Sequence, residues 1–365
     1  SRSRAACGSM CPRLCGQGGG ARRQQGGGSM VPIYRALSAA AHLALAPRTP
    51  GAGSKLGEPT SRSSKGGRAV AKVKRLSPAT FARLPTNLAD DTALPAPWEK
   101  ISSLNRYHDI IPNAHSRVRL QRLGVNPLTE YINANYVRGA EGSGRSYIAT
   151  QGPTPRSTAD FWRMVWEQGS TAIVMLTGLI EGGRLKCERY WPADVGPKAE
   201  VRYGSLIVAM DSSLDMGPYT RSIFRVRRVG AEGDEAERIV HHFWYNTWPD
   251  HGTPDDTNGV LAMLHDVRLH SKGDKSEPWI VHCSAGIGRT GTFIAIDMGA
   301  FELATVGATD VTLLVRAMRE DRGGMVQTAQ QADFIHRALV ALDAEMATCQ
   351  EDPGQHLEGR AWHET

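Results

Sequence analysis

One stretch of ten residues, Val281 to Thr290, constrains the fold of this chain more than any other part of the sequence. A short apolar run, residues 279–281, leads into it, and a second apolar run, residues 292–296, follows it. This pattern predicts a buried strand, a tight loop and the start of a helix. In such an arrangement the backbone N–H groups of residues 284–289 converge at a helix N-terminus, which is a favourable place for an anion.

The loop carries one thiol and one guanidinium at a fixed spacing. The small residues between Cys283 and Arg289 let the backbone curl around a ligand, and Arg289 offers a planar fork for two phosphate oxygens. A helix N-terminus and a neighbouring cation both lower the pKa of a thiol. We therefore predict that Cys283 is a thiolate that attacks phosphorus to give a cysteinyl-phosphate. The alternative, a buried structural cysteine, does not account for the Cys-x5-Arg spacing or the glycines.

Residues 282–291 read His-Cys-Ser-Ala-Gly-Ile-Gly-Arg-Thr-Gly. This segment, called the signature loop below, resembles that of the classical, tyrosine-specific protein tyrosine phosphatases of non-receptor type. The resemblance extends over about residues 77–345, and the further motifs follow the family's order. It implies an α/β fold, with a twisted mixed β-sheet flanked by helices. It also implies hydrolysis of phosphotyrosine in proteins, with no metal and no other cofactor.

The resemblance assigns the chemical steps to particular residues. Asp250, in the motif Trp-Pro-Asp that begins at Trp248, is expected to be the general acid and then the general base, and Trp248 is expected to latch this loop when it closes. Expulsion of a tyrosyl oxyanion is costly near neutral pH, and a positioned acid contributes about 10²–10⁴-fold. Gln327 is expected to place the hydrolytic water, with help from Gln331.

The resemblance also predicts how the substrate is held. Tyr107 would stack on the phenyl ring, and Asp109 would accept hydrogen bonds from the substrate backbone. Glu181, which precedes Lys186 at a Glu-x4-Lys spacing, would orient Arg289 as a supporting carboxylate; an ordinary surface ion pair is the alternative. The phosphate itself would be bound by Ser284, Ala285, Gly286, Ile287 and Gly288. His282 is expected to tune the thiolate of Cys283, and Thr290 to stabilise that thiolate when it leaves phosphorus. Arg319 and Arg322 are expected at the rim of the site, where they would contact an acidic or doubly phosphorylated substrate.

The charge of the chain is divided unevenly. Residues 1–76 hold 14 Lys and Arg against one acidic residue, Glu58, whereas residues 77–365 carry a net charge of −7. The mildly acidic second part argues against a nucleic-acid-binding domain. We predict a disordered basic tail at 1–76, a catalytic domain at 77–345 and a disordered end at 346–365. Within the tail, the basic run at residues 72–76 is interpreted as solvated; a docking segment for an acidic partner and an import signal are the alternatives.

Location and partners are less constrained. The sequence has no apolar run of 18 residues, so no membrane span is predicted. Six scattered cysteines do not form a disulfide framework, and a catalytic thiolate needs a reducing compartment, which favours the cytoplasm. The Ala- and Leu-rich stretch after Met30 leaves an organellar transit peptide open as an alternative. The resemblance suggests a monomer whose partners are tyrosine-phosphorylated proteins, a MAP kinase among them.

Periodicity predicts the main elements of the domain. Strands are expected at 115–120, 131–136, 147–153 and 171–176, followed by a three-stranded meander at 201–209, 219–229 and 239–245. Helices are expected after Ser77, at 160–166, and at 310–318 with Asp310 as its cap. Two other functions stay open: an inactive phosphotyrosine-binding module, disfavoured by Asp250, Cys283 and Arg289, and a dual-specificity phosphatase, disfavoured by the wall at Tyr107.

Overall fold

The central sheet of the domain has nine strands among the residues that the computed structural model describes, which are 71–90, 94–196, 198–230, 237–249, 252–271 and 277–351. Its strands are β2 (Arg117–Arg119), β3 (Tyr131–Arg138), β4 (Ser146–Thr150), β5 (Ala172–Met175), β8 (Val201–Tyr203), β9 (Leu206–Asp215), β10 (Thr220–Arg228), β11 (Glu237–Trp244) and β12 (Trp279–His282). Two small sheets pair β1 (Val73–Lys74) with β13 (Thr309–Asp310), and β6 (Ile180–Glu181) with β7 (Arg184–Leu185).

The strand order in the central sheet is β2-β3-β4-β12-β5-β11-β10-β9-β8. The four middle strands, β4, β12, β5 and β11, run parallel, while the strands on either side pair antiparallel. Strand β12 is buried along its whole length, as expected for a strand with parallel neighbours on both edges. The predicted mixed α/β sheet is therefore confirmed, and it places the signature loop at the carboxyl end of a central strand.

Helices cover both faces of this sheet. They are α1 (Pro78–Phe81), α2 (Trp98–Ile101), α3 (Thr158–Glu167), α4 (Asn258–His270), α5 (Gly288–Thr305), α6 (Val311–Asp321) and α7 (Ala329–Glu351), with short 3-10 turns at Ser102–Leu104 and Pro127–Glu130. Neighbouring residues of β12 enter different cores: Ile280 packs with Phe161 and Trp162 of α3, whereas Val281 packs with residues of α4 to α7. Helix α6 begins at its predicted cap, where Thr312 N donates to the Asp310 carboxylate over 2.8 Å.

The N-terminal limit of the domain lies earlier than the predicted Ser77. Val73 and Leu76 are buried in the core, and strand β1 pairs with β13. The basic side chains stay more than half exposed, as predicted, but they also form ion pairs: Lys72 binds Asp343 over 3.0 Å, Lys74 binds Asp310 over 2.7 Å, and Arg75 pairs with Asp333. The sequence showed the positive charges but not their partners, which are distant in the chain.

Two other predicted limits are corrected by the structure. The interval 201–209 holds two strands, because Gly204 (φ +63°) makes a tight turn that pairs Tyr203 with Leu206. Helix α7 continues past residue 345, as far as Glu351. Residues 1–70 and 352–365 of the two predicted tails lie outside the described residues, and so do residues 231–234 of the turn at 230–234 that joins the last two strands of the predicted meander. Within the described part of the chain, no helix has the length and apolar character needed to cross a bilayer.

Candidate active site

The signature loop joins the end of β12 to the first turn of α5. Gly286 adopts φ +74°, and a Cβ atom on it would overlap the carbonyl group of Thr150 on β4. Only glycine therefore fits this position of the loop. The Gly286 N–H donates to Cys283 Sγ over 3.3 Å, and the Ser284 carbonyl accepts from Gly152 N over 2.9 Å. The backbone thus curls around Cys283, which is 5% exposed.

The surroundings of Cys283 favour the thiolate. Burial on its own raises the pKa of this thiol. The hydroxyl of Thr290, the charge of Arg289 and the N–H groups of Thr290 and Gly286 outweigh that effect, so that the pKa of Cys283 lies below its ordinary value. The Thr290 hydroxyl is buried without a hydrogen bond of regular geometry, and its favourable interaction is with the thiolate form.

Arg289 is held by a carboxylate from the β6–β7 hairpin. Its two terminal nitrogens lie 2.6 and 2.8 Å from the two carboxylate oxygens of Glu181, and one of them also donates to the Leu176 carbonyl. Glu181 accepts further bonds from Gly178 N and from the Thr177 hydroxyl, 2.8 and 2.9 Å away. Burial raises the pKa of Glu181, but these bonds lower it below its ordinary value. The guanidinium is thereby fixed in one plane beside the loop.

A chain of three buried rings reaches the signature loop from behind. The Tyr190 hydroxyl lies 2.8 Å from Nε2 of His282 and 2.8 Å from Nε2 of His242, and Nδ1 of His282 lies 3.1 Å from the Cys283 carbonyl. Burial lowers the pKa of both histidines, that of His282 to about 4, so both rings are neutral.

The hydrogen-bond donors among these three rings can be assigned from the bonding pattern. A carbonyl only accepts, so Nδ1 of His282 carries its proton and Nε2 accepts from the Tyr190 hydroxyl. Tyr190 then accepts from Nε2–H of His242. The Cys283 carbonyl therefore sets the tautomer of His282, and Tyr190, itself bonded to His242, supplies the proton that the remaining ring nitrogen accepts. Neither residue was singled out from the sequence, because nothing local to them indicates the contact.

Replacement of Tyr190 with phenylalanine tests this assignment. Tyr190→Phe leaves Nε2 of His282 without its hydrogen-bond donor and so weakens the support of the Cys283 carbonyl. We expect the pKa of Cys283 to rise, which moves the acid limb of the kcat/KM profile to higher pH. At neutral pH kcat/KM should fall by less than about tenfold, the value of one hydrogen bond. The measurement is the pH dependence of phosphotyrosine-peptide hydrolysis. Tyr203→Phe, on β8, is the matched control, and an unchanged profile in Tyr190→Phe would contradict the assignment.

The wall predicted at Tyr107 contacts the signature loop directly. Tyr107 is half-buried, and its hydroxyl lies 2.8 Å from Ser284 Oγ. Ser284 donates its proton to the Lys186 carbonyl over 2.9 Å, so Tyr107 is the donor to Ser284. Asp109 is exposed on the same loop. The structure thus brings Tyr107 and the Lys186 backbone together at Ser284, the residue that follows Cys283.

The glutamine segment lies against the start of α5. Gly288 leaves space that the side-chain amides of Gln327 and Gln331 occupy, and Gln327 N donates to Oε1 of Gln331 over 2.8 Å. The preceding residue, Val326, adopts φ +62°, a strained backbone for a β-branched residue. Its N–H donates to the Ile287 carbonyl over 3.1 Å, so the segment is tied to the signature loop.

The Trp-Pro-Asp segment is described only in part, since Asp250 and His251 lie outside the described residues. Trp248 is 2% exposed, its Nε1 donates to the Gly252 carbonyl over 3.1 Å, and its ring packs on Tyr245 and Phe334. The hydrogen bond from Trp248 to Gly252 thus joins the residues on the two sides of Asp250 and His251.

The prediction that Arg319 and Arg322 lie at the rim is wrong. Arg319 is 3% exposed and Arg322 is 1% exposed. Arg319 donates to the carbonyls of Met325 and Val326, and Arg322 donates to the Gly286 carbonyl over 2.9 Å. Both guanidiniums hold backbone in place and are not presented to a substrate. Arg106, which the sequence did not single out, acts similarly toward the Gly152 and Pro153 carbonyls.

The fold and the loop together define the protein-tyrosine phosphatases. The family model for protein-tyrosine phosphatase matches residues 101–341, and the chain belongs to this family. The family match and the relatives described next confirm the predicted resemblance to the classical, non-receptor-type members.

The relatives include both non-receptor and receptor types. The chain is 40% identical over 266 residues to tyrosine-protein phosphatase non-receptor type 7 of Mus musculus, covering 73% of this chain and 70% of that protein. It is 39% identical over 284 residues to receptor-type tyrosine-protein phosphatase R of Rattus norvegicus, covering 77% of this chain and 41% of that protein. It is 38% identical over 272 residues to non-receptor type 5 of Mus musculus, covering 74% and 48%. The match thus spans less than half of the last two relatives.

Proposed function

We propose that the protein hydrolyses phosphotyrosine in proteins through a cysteinyl-phosphate, with Cys283 as nucleophile. The observation that supports this most directly is the joint placement of a thiol of lowered pKa and the Glu181-held Arg289 at the N-terminus of α5. A thiolate and a planar cation placed together suit attack on a phosphate ester.

In the first step the Cys283 thiolate attacks phosphorus, and the bond from phosphorus to the tyrosyl oxygen breaks. Asp250 gives its proton to that oxygen, so tyrosine leaves neutral. Arg289 and the N–H groups of the signature loop bind the phosphoryl oxygens during the transfer.

In the second step water attacks the phosphorus of the cysteinyl-phosphate. Gln327 positions the water, Gln331 holds the backbone of Gln327, and Asp250 accepts a proton from the water. The bond from sulfur to phosphorus breaks, inorganic phosphate is released, and Thr290 stabilises the restored thiolate. His282 keeps the Cys283 carbonyl oriented throughout.

The proposal includes selectivity for phosphotyrosine. It is supported by the contact of Tyr107 with Ser284 and by the burial of Cys283, which together suit a deep slot with Tyr107 as its wall and Cys283 as its floor. A phosphate on a phenyl ring reaches the floor of such a slot, whereas a phosphate on the short serine side chain does not.

The test compares a phosphotyrosine peptide with its phosphoserine counterpart, using the full chain in EDTA with a reducing agent. We expect hydrolysis of the phosphotyrosine peptide alone. Comparable hydrolysis of both would favour the dual-specificity alternative. Binding of the phosphotyrosine peptide by folded protein, with no hydrolysis, would favour the inactive binding module.

The more specific expectations stay predictions. A MAP kinase as substrate, a monomeric state and a cytoplasmic location rest on the family resemblance and on the need for a reduced thiol. Dephosphorylation of a doubly phosphorylated MAP kinase by the full chain would test the substrate. The mass of the full chain in solution, measured by light scattering, would test the monomeric state.

A further inference from the structure

The buried guanidinium of Arg319, near the end of α6, directs its hydrogen bonds to four main-chain carbonyls. Its Nε donates to the Met325 carbonyl and one terminal nitrogen donates to the Val326 carbonyl, each over 2.9 Å. The other terminal nitrogen donates to the carbonyls of Leu84 and Pro85, over 3.3 and 3.0 Å. Burial lowers the pKa of Arg319, and the carbonyl dipoles offset part of the cost of burying its charge. Arg319 thus joins the glutamine segment, residues 325–331, to the chain that follows α1.

Arg319 holds the one residue of the glutamine segment whose backbone is strained. Val326 adopts φ +62°, which is costly for a β-branched residue and persists only where the surroundings enforce it. Peptide groups are planar, so the backbone at Val326 is set by the planes before and after it. In the plane before it, Arg319 binds the Met325 carbonyl, and the N–H of Val326 donates to the Ile287 carbonyl over 3.1 Å. That plane is therefore held at both ends.

The plane after Val326 leads directly into Gln327 and is held in the same way. Arg319 binds its carbonyl, and its N–H donates to Oε1 of Gln331 over 2.8 Å. A Cβ atom on Gly288 would lie 2.4 Å from Oε1 of Gln327, so the Gln327 amide lies against the first turn of α5. The direction in which the Gln327 side chain leaves the backbone therefore follows from two peptide planes, and Arg319 binds one end of each.

The far side of the guanidinium rests on the N-terminal part of the domain. The Phe81 ring, at the end of α1, lies with its centroid 5.1 Å from Cζ of Arg319, a distance that suits a cation–π contact. The carbonyls of Leu84 and Pro85 bind the remaining terminal nitrogen. Arg319 is thus held from behind as well as in front, which restricts rotation of its planar fork.

We propose that Arg319 is a positioning residue for the second chemical step, in which water attacks the cysteinyl-phosphate. It acts through the backbone at Val326, by keeping the Gln327 amide at the place from which it orients the water. This inference rests on the proposed function and on the role of Gln327 within it. Because Gln327 is assigned to the second step alone, the loss of Arg319 should slow that step and leave formation of the cysteinyl-phosphate nearly unchanged.

Arg319→Lys tests the proposal, because a single ammonium group keeps the charge but does not reproduce the planar fork. With the full chain at saturating radiolabelled 4-nitrophenyl phosphate, we measure kcat and the fraction of protein trapped as cysteinyl-phosphate by rapid denaturation. Their ratio is the rate constant of the second step. It should fall roughly three- to tenfold, the value of about one net hydrogen bond. By contrast, kcat/KM, which reports only the steps up to release of 4-nitrophenol, should change by less than about twofold.

Three further variants complete the experiment. Arg316→Lys is the matched control, since Arg316 is an exposed arginine one turn earlier on α6, and both constants should stay unchanged. Gln327→Ala is the reference and should lower the rate constant of the second step at least as much as Arg319→Lys does. Phe81→Ala leaves Arg319 intact and removes only the ring behind it, so it should lower the same constant by roughly twofold even if Arg319→Lys does not fold.

Equal losses in kcat/KM and in the second-step rate constant of Arg319→Lys would show a merely structural role and overturn the proposal. So would an unchanged rate constant in Arg319→Lys or in Gln327→Ala. Failure of the proposed function looks different, because the folded, unaltered chain would then neither hydrolyse 4-nitrophenyl phosphate nor retain labelled phosphate on Cys283.

Discussion

Cys283→Ser is expected to reduce phosphotyrosine hydrolysis below detection while peptide binding is retained. A serine hydroxyl does not ionise near neutral pH, so the group that forms the bond to phosphorus is lost. Arg289 and the loop N–H groups stay in place, because serine is nearly isosteric with cysteine. The measurements are turnover of a phosphotyrosine peptide and capture of the same peptide by the immobilised variant, with free phosphotyrosine as competitor.

The control for this variant is Cys187→Ala. Cys187 is a second free cysteine of the domain, and burial raises the pKa of its thiol. A thiol of raised pKa is a poor nucleophile, so activity should be retained. Turnover by Cys283→Ser comparable to that of the unaltered chain would exclude the cysteinyl-phosphate mechanism.

Asp250→Ala is expected to lower kcat by about 10²–10⁴-fold with phosphotyrosine as substrate. Without the acid, tyrosine leaves as a phenoxide, which is a strong base. The loss should be smaller with 4-nitrophenyl phosphate, because its leaving group is a much weaker base. The measurement is kcat for a series of aryl phosphates of increasing leaving-group basicity, which should decline more steeply in the variant than in the unaltered chain.

Asp255→Ala is the matched control for Asp250→Ala. Asp255 is an exposed aspartate five residues later, whose backbone carbonyl accepts from Arg337 over 3.4 Å. Its removal should leave the dependence on the leaving group unchanged. Equal slopes for Asp250→Ala and the unaltered chain would show that another group provides the proton.

The parts that the sequence predicted well are those in which local pattern and structure coincide. The apolar run before Cys283 became a strand with parallel neighbours, and the glycines of the signature loop lie where a side chain would overlap other atoms. Helix α6 begins at Asp310 and buries the predicted apolar face, because capping and periodicity are properties of a few adjacent residues.

The parts that it did not predict depend on contacts between distant residues. The family resemblance suggested that Arg319 and Arg322 lie at the rim, yet their partners are carbonyls and amides from other segments. The chain from His242 through Tyr190 to His282 joins three strands or loops. No pattern within a single segment indicates that side chains from distant segments form a hydrogen bond. The sequence therefore identifies the residues but not their bonding partners.

The attachment of the N-terminal end has a consequence for how the domain responds to salt. Lys72, Lys74 and Arg75 are more than half exposed, so dissolved ions screen their attraction to the three aspartates. Val73 and Leu76 are buried between them, and sulfate or phosphate strengthens apolar burial by being excluded from the surface. This end of the domain is therefore held by two forces that sulfate or phosphate changes in opposite directions, and its attachment persists over a wider range of solution conditions than either force alone would allow.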